Sequence, residues 1–302
     1  MIAPGIYLVH KPPGVTSFSL VQAFMEEVRA AGLRRDKLPA CHGGALDPFA
    51  EGLLLILAGQ AARLMDLLHP IPKTYVAEIA WGAESATGDF LGQMTKSTKS
   101  LTAREAEAGL AAALPRFLGW REQVPPATSN KRIDGERAWR KAHRGEAVVL
   151  PPSRVYLHSA RWLSHDLPER STLEIVSGGG YYVRSLVRDL GRATGALGHL
   201  TKLHRTAIGP WRDPGPGGRR LLRGAELYPW CPSVGIDDRE LARLRGGNAI
   251  ETRPLTEPEW TLPDGFPGPD APIRGLIGGR IVAMLREQYG ALQGAPVLRG
   301  PL

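Results

Sequence analysis

The sequence predicts an α+β protein that ends in a small β-rich appendage, and three observations predict it. Residues 73–81 alternate in period two, placing Tyr75, Ala77, Ile79 and Trp81 on one face of a strand. Two capping boxes, Thr102-x-x-Glu105 and Asp237-x-x-Glu240, open helices. A linker-like stretch over 210–218, rich in Pro and Gly, precedes a last segment with strand character at 280–286 and 291–298.

The remaining elements follow in chain order. Residues 6–9 read as a short strand that stops at the rigid turn Lys11-Pro12-Pro13-Gly14. Leu20, Val21, Phe24, Met25 and Val28 share one face of a helix over 19–31. A basic, Pro-containing loop over 32–41 leads into the turn His42–Pro48, followed by the apolar run Leu53–Ala58. The helix opened by Thr102 runs to about Leu114, with Leu110 and Leu114 toward a core. Residues 122–152, with Pro125, Pro126, Lys131 and a run of cations, read as a mobile, positively charged excursion. Strands are expected at 153–163 and 172–177, then a helix from about Ser185 to Thr194 with Gly195 as its C-cap. The helix opened by Asp237 stops at Gly246-Gly247.

Composition narrows the class. With 302 residues, 43% hydrophobic and 23% charged, the chain has room for one large and one small domain. No apolar run is long enough to span a bilayer, and residues 1–5 show no secretory signal, so a cytoplasmic protein is expected. Cys41 and Cys231 are far apart and form no zinc or disulfide pattern, which fits a reducing compartment. The net charge of +8 favours a polyanionic partner. Cations cluster at Arg132, Arg137, Arg140, Lys141, His143 and Arg144, and again at Lys202, His204 and Arg205; each cluster also reads as a plain solvated face.

Asp47 is the sharpest chemical signal. It lies in the Gly-rich turn Cys41-His42-Gly43-Gly44-Ala45-Leu46-Asp47-Pro48, at the lip of the apolar run. A carboxylate there is either a nucleophile or base, or a residue that only shapes a turn. The turn alone leaves both readings open.

The ordered set of motifs goes further. Lys11-Pro12-Pro13-Gly14-Val15-Thr16-Ser17 is followed by His42–Pro48 with Ala50-Glu51-Gly52-Leu53-Leu54, then Lys73-Thr74-Tyr75. Gln123-Val124-Pro125-Pro126 with Ser129 and Lys131 comes next, then Gly180-Tyr181-Tyr182-Val183-Arg184-Ser185-Leu186 with Asp189-Leu190-Gly191. Over residues 5–210 this chain closely resembles the TruB family of tRNA pseudouridine synthases, which convert uridine 55 of the tRNA T loop. Related pseudouridine synthases surround their aspartate differently, so Leu46-Asp47-Pro48 together with the Lys-Pro-x-Gly start discriminates.

The resemblance implies a pseudouridine synthase catalytic fold: a mixed, mainly antiparallel sheet flanked by helices and loops, over residues 1–228. The mobile insertion at 122–152 would close on RNA, and 229–302 would be a divergent PUA-like domain. It implies Asp47 as the catalytic aspartate, Arg184 as its cationic partner, and Tyr75 as the residue that stacks on the uracil and moves a proton. Tyr182 and Leu203 would line the uracil pocket, and His42 would fill the space left by the flipped base. Lys11 is read as mainly structural with phosphate contact as a second role, Asp89 as an acid near the site, and Lys131 as part of the RNA-holding insertion. Three positions depart from the family pattern: Leu91 replaces an acid, Trp139 a tyrosine, and His143 an arginine.

The implied reaction breaks N1–C1′ and joins C5 to C1′, with no redox change. No cofactor or metal is expected, no membrane and no protein partner; the tRNA T stem-loop is the expected partner and a monomer the expected state. A non-catalytic RNA-binding protein on the same scaffold is the alternative, disfavoured because binding alone needs no joint presence of Asp47, Tyr75 and Arg184. A metal-dependent nucleic-acid enzyme is poorer still, since no ligand spacing appears.

Overall fold

The computed structural model describes residues 2–34 and 38–302. The middle of the expected 32–41 loop, Arg35, Asp36 and Lys37, lies outside the described residues, as does Met1 of the N-terminal reading. The chain packs as two compact units, one of Met1–Ile71 with Ala207–Leu302 and one of Pro72–Thr206. Among the described residues no helix is long and apolar enough to cross a membrane.

The first unit is organised by the apolar run. Strand β1 (Gly5–Lys11) pairs antiparallel with β3 (Glu51–Ala58), from Gly5↔Ala58 to Lys11↔Gly52. The short β2 (Ala40–His42) lies on the other side of β3, and the strand Arg219–Leu222 lies beside β1. The run Leu53–Ala58 is continuous rather than alternating because both faces of β3 are covered. Leu53, Leu55 and Leu57 pack with Ile6, Leu8, Leu64 and Leu68. Leu54, Ile56 and Ala58 pack with Tyr7, Val9, Phe24 and Val28. Phe24 and Val28 come from α1 (Ser17–Ala30), which starts earlier than its apolar pattern because Thr16 caps it, accepting from Ser19 N at 3.0 Å.

The C-terminal segment forms a five-stranded sheet in the order Ser233–Gly235, Ile273–Ile277, Arg280–Gln288, Ala291–Val297, Ile250–Glu251. The first pair is parallel and the rest antiparallel. The capping box of Asp237 and Glu240 is formed. Val234, Leu241, Leu244, Ile273, Leu285 and Leu292 make a core of their own. Ile281, Met284 and Leu298 instead join Ile6, Leu8 and Leu53, so this sheet also packs on the N-terminal strands.

In the second unit β4 (Lys73–Trp81) pairs with Arg170–Ser177, placing Tyr75 opposite Ile175. That strand pairs with Ser153–Asp166, which pairs with Gly119–Gln123. Helix α2 (Ala103–Ala113) starts at the expected capping box. The basic segment forms a small hairpin, Arg132–Ile133 with Glu136–Arg137, and then the short helix α3 (Ala138–His143). Helix α4 (Val183–Thr194) ends at Gly195 in the left-handed conformation, φ 76°. The strand Gly198–Ile208 follows. The cluster at 202–205 is therefore not a uniformly solvated face: strand alternation exposes Lys202 and buries Arg205, which is 2% exposed.

Two glycines set how closely α4 lies on the following strand. A Cβ at Gly191 would meet Gly198 N at 2.6 Å and the carbonyl carbon of Leu197 at 2.7 Å, while one at Gly198 would meet the Trp81 ring at 2.6 Å. Gly191 has ordinary helical geometry, so Ala would gain about 1 kcal/mol in helix propensity. The clash is with backbone, which cannot turn aside, so Gly191→Ala should cost roughly 1–3 kcal/mol net in chemical denaturation. A stabilised variant would contradict this packing.

Candidate active site

The Asp47 turn is held by its neighbours rather than by its own turn chemistry. Lys11, at the end of β1, is 0% exposed. Its ammonium donates to Pro12 O at 3.0 Å and, just after Asp47, to Pro48 O at 3.1 Å and Ala50 O at 2.6 Å. Ser17, at the start of α1, closes the other side. Its Oγ donates to Leu46 O at 3.2 Å and accepts from Leu46 N at 2.8 Å. Gly14 N donates to Pro48 O at 2.8 Å, tying the Lys-Pro-Pro-Gly turn to the same loop. Asp47 itself is half-buried, and His42 ends β2 opposite Ile56. A buried cation spent on three carbonyls fixes main chain.

Arg184 is built as carefully in the second unit. It sits in the first turn of α4, 4% exposed. Its Nη1 donates to Thr87 O at 2.9 Å and Thr128 Oγ1 at 2.6 Å, and lies 3.6 Å from Asp89 Oδ2. Asp89 is buried too, and its Oδ1 accepts from Thr87 Oγ1 at 2.7 Å and Leu91 N at 3.0 Å. Gly88 adopts φ 77°, and a Cβ there would meet the Arg184 Cβ at 3.0 Å. Asp89 thus positions Arg184, and the acid missing at Leu91 leaves that pairing intact.

Tyr182 caps α4 with its backbone. Its N–H donates to Gln123 Oε1 at 2.9 Å, and Gln123 Nε2 donates to Tyr182 O at 3.1 Å. Ser185 Oγ donates to Val124 O at 2.8 Å. The Gln-Val-Pro-Pro motif therefore docks the helix that carries Arg184. Tyr75 is half-buried on β4, Leu203 is buried, and Lys131 is exposed with Nζ donating to Ser153 Oγ at 2.9 Å. A cavity of about 430 Å³ borders Arg184, Arg188, Arg192, Pro126 and Val149. Tyr75, Tyr182 and Leu203 do not line it, so it is not the pocket expected for a base.

Within the basic segment Arg144 is neutralised locally. It makes a two-pronged contact with Glu136, at 2.7 and 2.9 Å, and another with Glu146 at 2.5 Å. Arg132 and Arg137 reach only backbone carbonyls, and Arg140 lies over the Trp139 ring at 5.4 Å. None of these three makes an ion pair among the described residues.

Ser17, Gln123 and Thr128 were not singled out by their residue types. Ser17 and Gln123 sit inside the motifs that carried the resemblance, which is a signal; Thr128 offers none. Lys73 is a further case. Burial, together with nearby Arg205, pulls its ammonium from 10.5 down to about 7. Between those pH values the unfolded chain binds a proton that the folded chain does not, so stability rises with pH from about 7 to 10.5. Below about 7 the full penalty stands. Lys73→Met should gain on the wild type at pH 6 and lose that advantage by pH 10, measured by denaturant unfolding. Parallel pH curves for the two proteins would contradict it.

The family model described as TruB family pseudouridylate synthase (N terminal domain) matches residues 34–183. A protein named tRNA pseudouridine synthase B from Bradyrhizobium diazoefficiens is 38% identical over 312 aligned positions, covering 95% of this chain and 84% of that protein. The chain belongs to the TruB family of pseudouridylate synthases. Another TruB relative with the same name, from Paracoccus denitrificans, is 40% identical over 68% of this chain and 66% of its own length. A crystal structure of a Cbf5–Nop10–Gar1 complex aligns with a TM-score of 0.64 at 20% identity, over 97% of this chain and 84% of that one. At that identity the likeness is one of fold. The fold is the α+β pseudouridine synthase fold with a β-rich C-terminal sheet, and the TruB chain is an isomerase.

Proposed function

We propose that this TruB chain converts uridine to pseudouridine at position 55 in the T loop of tRNA, by base flipping and an aspartate-dependent, cofactor-free mechanism. The observation that carries the reading is the Asp47 turn, braced by buried Lys11 and Ser17 on both sides of a half-buried carboxylate. A residue that merely shaped a turn would need no such support. The tRNA substrate is supported by relatives named tRNA pseudouridine synthase B.

In this reading the carboxylate of Asp47 reacts with the flipped nucleotide, the N1–C1′ bond breaks, and the uracil turns in place. C5 then joins C1′, the C5 proton leaves, N1 takes up a proton, and the Asp47 carboxylate is released unchanged. Asp47 must be ionised to react, and Arg184 is the cation that keeps it so. Tyr75 stacks on the uracil and moves the proton, while Tyr182 and Leu203 line the pocket. His42 fills the space the base leaves, at a cost of about a few kcal/mol for unstacking. Residues 122–152, with Lys131, hold the T stem-loop. The catalytic domain spans 1–228 and 229–302 is a PUA-like domain; the enzyme works as a cytoplasmic monomer without a protein partner.

The test is to incubate the full chain with an unmodified tRNA transcript and map pseudouridine by position. Modification at position 55 supports the reading. Modification confined to other positions would replace the substrate site and keep the reaction class.

A further inference from the structure

A second basic feature lies in the first unit, away from every residue given a role above. A pocket of about 370 Å³ is lined by Arg223, Arg280 and Arg299, with Pro4, Gly59 and Gln60 among its other walls. No carboxylate side chain lines it. All three arginines are exposed, and none has a carboxylate or hydrogen-bond partner for its guanidinium among the described residues. Several other arginines of this unit do face carboxylates: Arg219 faces Glu27, Arg220 faces Glu226, Arg253 faces Glu240 and Arg274 faces Glu259.

Their convergence is fixed by backbone. Arg280 begins the strand Arg280–Gln288, directly after the turn Gly278-Gly279. That turn abuts the one after Arg223, because a Cβ at Gly224 would meet Gly279 O at 2.7 Å. Leu298 N donates to Val282 O at 3.1 Å and Leu302 N to Ile281 O at 2.9 Å, which holds the Arg299 segment along the start of the Arg280 strand. Arg299 N also donates to Gln60 Oε1 at 3.2 Å. Three arginines lining one pocket with no carboxylate in its walls suit an anion with several acceptor oxygens.

We infer that Arg223, Arg280 and Arg299 form a phosphate-binding pocket. The phosphate comes either from the backbone of bound tRNA or from free inorganic phosphate; the RNA source rests on the function proposed above, and the pocket does not. The variant is Arg223→Gln/Arg280→Gln/Arg299→Gln in the full chain, with the three single variants as a guard against misfolding. Arg104→Gln/Arg116→Gln/Arg239→Gln, at exposed positions elsewhere, controls for net charge.

Binding of unmodified tRNA is measured across salt concentrations. The pocket variant should lose about two to three units of salt slope and bind about ten-fold more weakly near physiological salt, while the control loses clearly less. In a second arm, calorimetry with inorganic phosphate should show binding to the wild type that the pocket variant lacks. A change in the tRNA arm assigns the RNA backbone; a change in the phosphate arm alone assigns the free anion. If the pocket variant matches the control for tRNA and the wild type for phosphate, the inference is overturned. A wild type that forms no pseudouridine would sink the proposed function and leave the phosphate arm as the judge of the pocket.

Discussion

Asp47→Asn should abolish pseudouridine formation, by at least about 10⁴-fold, because removing a reacting group leaves only binding and positioning to act. The amide has nearly the shape of the carboxylate. The main-chain bonds that brace the turn, from Lys11 to Pro48 O and Ala50 O and from Leu46 N to Ser17 Oγ, do not involve the Asp47 side chain. The variant should therefore fold normally and bind tRNA within a few-fold of the wild type. Weakened binding in proportion to lost activity would show instead that Asp47 holds the loop or the RNA.

Arg184→Met has the second largest expected effect, and it falls on stability as well as activity. It leaves the buried Asp89 carboxylate without its guanidinium and leaves Thr87 O without a donor. Breaking one side of a buried ion pair costs about 3–5 kcal/mol. Arg184→Met/Asp89→Leu should recover a good part of that stability and none of the activity. Arg184→Lys should keep the charge but lose the planar guanidinium whose Nη1 is held by Thr87 O and Thr128 Oγ1, costing about 10²-fold or more in turnover. Recovery of activity in the double variant would mean that Arg184 serves the fold alone.

How legible was this molecule before its structure? Elements with a local cause were read well. β4 spans the predicted 73–81, the capping boxes at Thr102 and Asp237 start α2 and the last helix, and Gly195 ends α4. The run Leu53–Ala58 announced burial but not strand, because a two-face-buried strand loses the period that identifies it. Arg205 was taken with a surface cluster because sequence adjacency hides strand alternation. The bracing of Asp47 by Lys11 was half legible: the motif was visible, while three carbonyls brought to one ammonium from separate turns were not. The Asp89–Arg184 pairing depends on residues far apart in sequence, so no spacing could reveal it. Arg144 looked like an RNA contact, and its neutralisation by Glu136 and Glu146 follows from a hairpin that two-residue strands do not announce.

Proton release from the uracil tests the central claim most directly. Forming the C5–C1′ bond expels the hydrogen of C5, so tRNA carrying tritium at C5 of uridine 55 reports the isomerisation itself. With enzyme in excess, the wild type should release one tritium per tRNA, and Asp47→Asn should release none while still binding the same tRNA. Tritium release by Asp47→Asn at a rate near that of the wild type, or retention of all tritium by a wild type that binds the tRNA, would contradict the account.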